Sequence, residues 1–342
     1  MNNPAQHTVL PTQTHDLAPF VSIALCTYNG ARFLREQLDS LLAQTHRNFE
    51  IIAVDDCSTD DSVHILQEYA GLDSRLKVHV NSVNLGFNEN FAIAMHHCGG
   101  VFVAPCDQDD IWHPQKISVL LQTIGARGLA YCDSELVNES GQSLEKNISH
   151  YVKMLTTQDP ATFLFVGCTS GHAMLFTRDL VPHAMPFPRE FYYDWWLAVV
   201  ATTRGGVIFH NEVLVKYRQH SNSVTSILNP YEAAYADKSP GYKLAALRRM
   251  GRKITLLTEL SGPQQPNLLR LKWLWDRRET QWLSLSLAWY MIRHGLRLHA
   301  TQKDASRWFV LRRALKYIWG VKAKRLFNQR AYQASERTHL KP

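Results

Sequence analysis

Between Val21 and Ala104, apolar runs of strand length alternate with stretches of helical periodicity, which strongly limits the folds open to the chain. Val21-Ser22-Ile23-Ala24-Leu25, Ile51-Ile52-Ala53-Val54, Leu76 to Val80 and Val101 to Ala104 are the strand-like runs. Leu34, Leu38, Leu41 and Leu42 recur at i, i+4, i+7 and i+8, one face of a helix. Val63, Leu66 and Tyr69 mark a second helix, with Ser58 or Thr59 as its cap, and Phe91 to Met95 lies on a third. Strands joined by helical crossovers run parallel. The pattern therefore predicts an α/β fold, a Rossmann-like, largely parallel sheet flanked by helices. Leu129 to Asp133, Ala173 to Phe176, Val207 to Phe209 and Leu214 to Tyr217 add short strands in a more mixed order, and Asp194 to Ala201 adds a helix.

In such sheets ligands sit beyond the carboxyl ends of the strands. Thr27-Tyr28-Asn29, Asp55-Asp56 and Asp107-Gln108-Asp109-Asp110 all fall at those ends, so three polar clusters converge on one edge. In the last, three carboxylates within four positions follow the apolar run Val101 to Pro105 and repel one another. A cation relieves that repulsion, and hard oxygen donors suit Mg²⁺ or Mn²⁺ bridging to substrate phosphates. A metal-dependent site for a phosphorylated donor is the expectation from the residues. The plainer alternative is a solvated acidic turn capping the helix that Pro114-Gln115-Lys116-Ile117 opens.

The net charge of +7 hides an asymmetry: residues 241–342 hold 22 basic against 5 acidic residues, residues 1–240 hold 15 against 25. An acidic half suits a metal site and a basic half suits an anionic surface. The organisation expected is a polar extension over 1–19, a catalytic unit over 20–235 and a basic, Trp-rich helical region over 236–342. Asn229-Pro230 and Ser239-Pro240-Gly241 mark the junction. The basic region carries six of the nine tryptophans, Trp273, Trp275, Trp282, Trp289, Trp308 and Trp319. Tryptophan with Lys and Arg on amphipathic helices is the pattern of a segment lying in a membrane interface. A helical bundle with a solvated basic surface is the alternative. Nucleic acid is not an expected partner, because no recognition module accompanies the charge.

All six cysteines lie in the first half without a CxxC pair, which predicts buried free thiols and a reducing compartment. Met1 to Ala18 has no apolar signal core, and no apolar run reaches the roughly 18 residues that a span requires. A cytoplasmic protein, peripheral on the inner face of the plasma membrane, is the expectation.

The ordered motifs Thr27-Tyr28-Asn29, Val54-Asp55-Asp56-Cys57-Ser58-Thr59-Asp60, Asn84-Leu85-Gly86, Asp107-Gln108-Asp109-Asp110, Gly171-His172-Ala173-Met174, Asp194-Trp195-Trp196 and Tyr217-Arg218-Gln219-His220 resemble those of family-2 glycosyltransferases. These enzymes have a GT-A fold, and the resemblance covers roughly residues 20 to 226. Asp-Gln-Asp-Asp-Ile-Trp together with Asp-Trp-Trp is most similar to bacterial rhamnosyltransferases of O-antigen and related polysaccharide assembly. The resemblance implies that Thr27, Tyr28, Asn29, Asp55, Asp56 and Asn84 hold the nucleotide of the donor. A carboxylate there can accept the N3–H of a pyrimidine. Asp107 and Asp109 match the Asp-x-Asp metal pair, with Asp109 the direct ligand and Asp110 a cap for the next helix. Asp194 matches the general base of an inverting transfer, although many relatives carry Glu-Asp where this chain has Tyr193-Asp194. His220 falls where relatives place a loop over the diphosphate, as a metal or phosphate contact. His172, Trp195 and Trp196 fall on the acceptor side, with core packing the plainer reading of the tryptophans.

The function this implies is inverting, metal-dependent transfer of a sugar from a nucleotide-diphosphate donor, first dTDP-L-rhamnose, to a lipid-linked glycan acceptor. A UDP-hexose or UDP-N-acetylhexosamine donor is the alternative within the fold. A catalytically silent nucleotide-sugar-binding scaffold is the alternative outside it.

Overall fold

The computed structural model describes residues 18–220 and 240–323. The first half folds as the alternation predicts. Strands β1 (Val21–Thr27), β2 (Phe49–Asp55), β3 (Leu76–Val80) and β4 (Phe102–Cys106) alternate with helices α1 (Ala31–Leu42), α2 (Ser62–Leu72) and α3 (Phe87–His97). All pairings among these strands are parallel, and the register sets Thr27 beside Asp55 and Leu25 beside Cys106. Three polar turns are thereby brought to one edge, as the strand ends predict.

The chain continues through β5 (Ile111–Trp112), α4 (Lys116–Ile124), β6 (Leu129–Val137), β7 (Ser143–Asn147), β8 (Met174–Thr177), α5 (Val181–Ala184), α6 (Tyr193–Thr202) and β9 (Val207–Arg218). The sheet order is β3-β2-β1-β4-β8-β6-β9-β5, with β7 paired to β6. β8 runs antiparallel to both β4 and β6, so the sheet is mixed but largely parallel. β9 is one strand where the sequence pattern suggests two. The polar His210-Asn211-Glu212 is absorbed by a register shift against β6, with Cys132 opposite His210 and Asp133 opposite Val213.

Successive strand residues point to opposite faces, and the core divides accordingly. Ile23, Leu25, Ile51 and Ala53 pack with Leu34, Leu38, Ile65 and Ile117 from α1, α2 and α4. Ala24, Cys26, Ile52 and Val54 pack on the other face with Phe91 of α3 and Leu197 of α6. That second core runs on into helices α7 (Pro240–Ser261), α8 (Pro266–Arg277), α9 (Leu285–Leu298) and α10 (Arg307–Leu315), through Ile254, Leu271, Met291 and Ala314 among others. Polar ties reinforce the seam: Arg297 pairs with Asp159, and Lys253 lies over the rings of Phe191 and Trp195. Pro240-Gly241 opens α7, whereas Asn229-Pro230 and Ser239, also expected at the junction, lie outside the described residues.

The six cysteines are free, and all but the partly exposed Cys57 are buried. The cap expected for α2 is not Ser58 or Thr59, because the Ser58 hydroxyl is drawn inward to donate to Asp55. Asp60 instead accepts the Ser62 N–H at 3.0 Å. Among the described residues no helix is long and apolar enough to cross a membrane.

Phe176, on central β8, is fully buried, whereas Leu72 is 78% exposed. Phe176→Ala should cost about 3–5 kcal/mol through lost burial and a residual cavity. Leu72→Ala should stay within about 0.5 kcal/mol. Urea unfolding monitored by circular dichroism measures both.

Candidate active site

The acidic turn follows β4, and its four residues take four different environments. Gln108 faces the end of β1, where its Oε1 accepts the Tyr28 N–H at 2.7 Å and its Nε2 donates to the Tyr28 carbonyl at 3.0 Å. Gly30 makes room for this clamp, since a Cβ there would fall 2.1 Å from the Gln108 Oε1. Asp109 faces the site and meets His220 Nε2 at 2.7 Å. Asp110 points inward and is fully buried, and its Oδ1 accepts the Arg218 N–H at 3.1 Å. The expected capping role of Asp110 is therefore corrected: β5 intervenes, and Gln115 is the N-cap of α4.

Arg218 holds this turn in place. Its Nε donates to the Asp109 carbonyl at 2.8 Å, one Nη donates to the Glu139 carbonyl at 2.7 Å, and the other pairs with Glu36. The guanidinium also lies 4.7 Å from the ring of Phe33. One buried fork thus joins α1, the acidic turn, the β6–β7 turn and the segment leading into His220.

Behind the turn lies a second polar group. His172 Nδ1 is 3.6 Å from Asp110 Oδ2 and 3.9 Å from Asp107 Oδ2, while its Nε2 pairs with the Ser134 hydroxyl at 3.0 Å. The ring stacks on Tyr217 with centroids 4.4 Å apart. Lys116 Nζ donates to the His172 carbonyl at 2.6 Å and sits over the Trp112 ring. Burial pulls His172 down to about 3, so its ring is neutral, and pulls Lys116 down to about 7. Burial and repulsion from Asp109 and Asp107 push Asp110 well above the usual carboxylate range. Asp107 is pushed up by burial and then by Asp109 and Asp194, although 40% of its side chain still faces outward.

These residues fit a divalent cation. Among the described residues no donor reaches Asp110 Oδ2, although it is buried. Asp107, Asp110 and His172 each present a ligand atom within 4.8 Å of the others. Carboxylate oxygens with one imidazole suit Mg²⁺ or Mn²⁺. The sequence expectation named Asp107, Asp109 and His220. The structure joins Asp109 to His220, both largely buried, and groups Asp107 with Asp110 and His172. Asp107 is common to the expected set and the observed one. An ion that must also meet a donor diphosphate suits the side of Asp107, which is 40% exposed, better than that of Asp110, which has no exposed surface.

Asp194 lies in the first turn of α6, across a cavity of about 290 Å³ whose lining includes Phe87, Asp107, Cys168, His172, Tyr192 and Asp194. Its Oδ2 accepts the Gly171 N–H at 3.1 Å and its Oδ1 accepts the Trp195 N–H at 2.7 Å. Burial raises this carboxyl to about 6, against the lowering pull of those two N–H groups. A group so held is ionised at neutral pH and still a competent proton acceptor. Of the tryptophans, Trp196 is buried in the core with its indole N–H donated to the Ala184 carbonyl, which corrects its expected place in an acceptor wall. Trp195 donates to the Phe163 carbonyl at 2.7 Å and backs Gly167, a cavity residue, without lining the cavity itself.

At the ends of β1 and β2, Thr27 donates to Asp55 Oδ2 at 2.7 Å, and Asp55 also accepts the Ser58 N–H and hydroxyl. Asp56 accepts from Asn81 and from the Leu85 and Gly86 N–H groups, while Asn84 donates to the Asp56 carbonyl. Both carboxylates are buried and fully engaged in these turns. As built, they shape the turns that carry Asn29, Asn84 and the exposed ring of Tyr28. Asn29 adopts a φ of 49° and its Oδ1 accepts the Thr59 N–H, a left-handed position that Asn tolerates. Cys57, with φ 65°, takes a conformation that favours glycine.

Residues 22–183 match the family described as Glycosyl transferase family 2. A glycosyltransferase of Haemophilus influenzae is 30% identical over 232 residues, covering 64% of this chain and 72% of that protein. The chain belongs to glycosyl transferase family 2. TuaG of Bacillus subtilis, named for teichuronic acid biosynthesis, is 31% identical over 63% of this chain and 84% of its own length. WfgD of Escherichia coli, named a UDP-Glc:alpha-D-GlcNAc-diphosphoundecaprenol beta-1,3-glucosyltransferase, is 26% identical over 60% of this chain and 79% of its own. Among solved structures, S. aureus TarS in complex with UDP-GlcNAc superposes with a TM-score of 0.55 at 16% identity, covering 87% of this chain and 91% of that one. The fold is GT-A, and this glycosyltransferase carries its acidic turn at the expected strand end.

Several residues that build the glycosyltransferase site escaped the sequence reading. Gln108 and Arg218 stand inside quoted motifs with no role assigned to them, and Ser134 lies outside the motifs; all three act through partners distant in sequence. Lys116 carries a local sign, since it precedes Leu120 and Ile124 at four-residue steps on the buried face of α4. Arg218→Met should cost about 3–5 kcal/mol by removing a buried charge from its partners. Arg218→Lys should recover only part of this, because one ammonium cannot reproduce the fork. Guanidinium unfolding of the three proteins checks the order wild type, lysine, methionine.

Proposed function

We propose that the protein is an inverting, metal-dependent transferase that moves a sugar from a nucleoside-diphosphate donor to a saccharide hydroxyl on a lipid-linked intermediate of bacterial surface polysaccharide. The observation that carries this reading is Asp194: a carboxyl raised to about 6, fixed by two backbone N–H groups, facing the same cavity as Asp107. Asp194 takes the proton of the acceptor hydroxyl as its oxygen bonds to the anomeric carbon. The bond from that carbon to the diphosphate oxygen breaks on the opposite face, so the configuration inverts. Asp107, Asp109 and His220 would hold Mg²⁺ or Mn²⁺, which offsets the charge of the departing diphosphate. Thr27, Tyr28, Asn29 and Asn84 receive the nucleotide on turns shaped by Asp55 and Asp56. His172 lines the acceptor side of the same cavity, with its Nδ1 3.9 Å from Asp107 Oδ2.

The first donor assigned is dTDP-L-rhamnose, on the resemblance of the Asp-Gln-Asp-Asp-Ile-Trp and Asp-Trp-Trp motifs. A UDP-hexose or UDP-N-acetylhexosamine is the second reading, favoured by the donor in the WfgD name and the UDP-GlcNAc bound to TarS. The lipid-linked acceptor is drawn in the same way from the WfgD name. A silent binding scaffold would have no use for a carboxylate poised as Asp194 is.

We further assign residues 20–235 to catalysis, 236–342 to an anionic membrane surface, and the protein to the cytoplasm on the inner face of the plasma membrane. Leu285, Trp289, Ile292 and Leu296 are all exposed and recur at i, i+4, i+7 and i+11 of α9. They form an outward apolar stripe opposite the buried one. Trp308 and Leu315 of α10 are exposed beside Arg312. A helix face that is apolar outward, within a basic region, matches an interfacial surface.

Calorimetry with Mn²⁺ across dTDP-rhamnose, UDP-glucose, UDP-galactose and UDP-N-acetylglucosamine should find one donor whose binding is lost in EDTA. Asp194→Asn should bind that donor as wild type does yet lose at least 10³-fold in turnover. In wild type, kcat should level off above about pH 6 and fall tenfold per unit below it, because only the ionised carboxylate accepts a proton. Absence of donor binding with and without metal would sink the transferase reading. Equal loss of donor binding in Asp194→Asn would make that residue structural.

The full chain should co-sediment with phosphatidylglycerol liposomes at low salt. The double variant Trp289→Ser, Trp308→Ser should remain in the supernatant with donor affinity intact. Co-sedimentation equal to wild type would remove the membrane role of these faces.

A further inference from the structure

The cavity above Asp194 has an aromatic lip that none of the motifs contains. Phe87 opens α3 and Tyr192 immediately precedes α6, and their ring centroids stand 5.5 Å apart at 52°. Both line the cavity, yet Phe87 is 38% and Tyr192 48% exposed. Large aromatic rings bury their faces where they can. Here the neighbouring rings show the contrast, since Phe91, Phe191 and Tyr193 are all buried in the core.

The lip is fixed in place. Asn88, between Phe87 and the body of α3, accepts the Tyr193 N–H on its Oδ1 at 3.0 Å and donates from its Nδ2 to the Phe191 carbonyl at 3.3 Å. One side chain thus clamps the start of α3 to the strand of chain that leads into Asp194. Tyr193 is anchored below by stacking on Phe91 at 4.0 Å. The two exposed rings therefore form a rigid wedge, with Tyr192 two residues from Asp194.

Resting on the reading of the protein as a sugar transferase, we propose that Phe87 and Tyr192 form the platform on which the acceptor sugar stacks, with its reactive hydroxyl toward Asp194. The platform selects a neutral pyranose with contiguous C–H bonds on one face, such as a gluco- or galacto-configured hexose or N-acetylhexosamine. C–H groups on that face carry partial positive charge and meet the negative face of an aromatic ring. A preformed wedge adds no ordering cost when the sugar arrives. Trp195, set behind Gly167, supports the opposite wall without reaching the sugar.

The test uses the full chain saturated with UDP and Mn²⁺, and methyl glycosides of glucose, galactose, N-acetylglucosamine and rhamnose as probes. Saturation-transfer NMR should show at least one probe receiving magnetisation mainly on the ring protons of one face. Phe87→Ala and Tyr192→Ala should each weaken that probe at least tenfold, about 1.4 kcal/mol. Phe87→Tyr and Tyr192→Phe should bind the probe within twofold of wild type. UDP affinity by calorimetry should be unchanged in all four variants, which also shows that they fold. The platform is overturned if no probe binds wild type that binds UDP, or if the alanine variants keep probe affinity. A parallel loss of UDP affinity overturns it too, and would place Phe87 in the donor site. Failure of wild type to bind UDP moves the same test to dTDP, and failure with both nucleotides strikes the transferase reading instead.

Discussion

Carboxylate repulsion at the carboxyl edge of the sheet is the constraint on which the rest of this structure turns. Asp107, Asp109 and Asp110 follow one strand and Asp194 faces them across a cavity, so their charges add in a region from which water is partly excluded. Three devices limit the cost. Asp110 is buried beside Arg218 and pushed toward its neutral form, Asp109 meets His220, and Asp107 keeps solvent contact. The sheet supplies the geometry for this sorting. β9 must run the full length of β6 to bring Arg218 under the turn, and the bulge at Asp133 makes that register possible. A shorter β9 would leave Asp110 buried without its N–H donor.

The same edge shows which parts of the fold were legible from residue order. Strands β1 to β4 and their helices follow from local apolar periodicity, because parallel strands buried on both faces need long apolar runs. The convergence of Thr27, Asp55 and Asp107 follows from topology alone. Asp110 was misread because Asp four residues before Pro114 resembles a cap. What decides its role is Arg218, 108 residues away. Trp195 and Trp196 could not be separated by sequence, since adjacent helical residues point about 100° apart and only the packed neighbours say which one turns inward. The wedge of Phe87 and Tyr192 is joined across a similar distance by Asn88, whose motif neighbours gave no hint of it.

The basic helices illustrate a different limit. Composition separates them from the acidic half, and a separate unit is the natural reading of a charge boundary. Packing tells more, because Ile254, Leu271, Trp275 and Met291 enter the core that also holds Phe91, Tyr193 and Leu197. These helices also brace the segment that walls the cavity. Thr301 donates to the Val166 carbonyl and His299 stacks on Phe165 at 4.1 Å, next to the cavity residues Gly167 and Cys168. The turn that follows α9 therefore packs directly against the segment that walls the cavity.

That connection gives the outward stripe of α9 a mechanical meaning. Leu285, Trp289, Ile292 and Leu296 share the helix that buries Leu287, Tyr290, Met291 and Leu298 against the core. An apolar layer that received the outward stripe would hold α9 from both sides, and with it the turn that carries His299 and Thr301. Most helical stability comes from packing an apolar face rather than from propensity. A second packed face therefore stiffens the element that supports residues 165–168. Asp109 meets His220 beyond the end of β9 and lies outside this chain of contacts, whereas Asp107 shares the cavity with Gly167 and Cys168. The wall at residues 165–168 rests on that chain directly, so under the proposed function the basic half would act on the side of the cavity where an acceptor sugar meets Asp194.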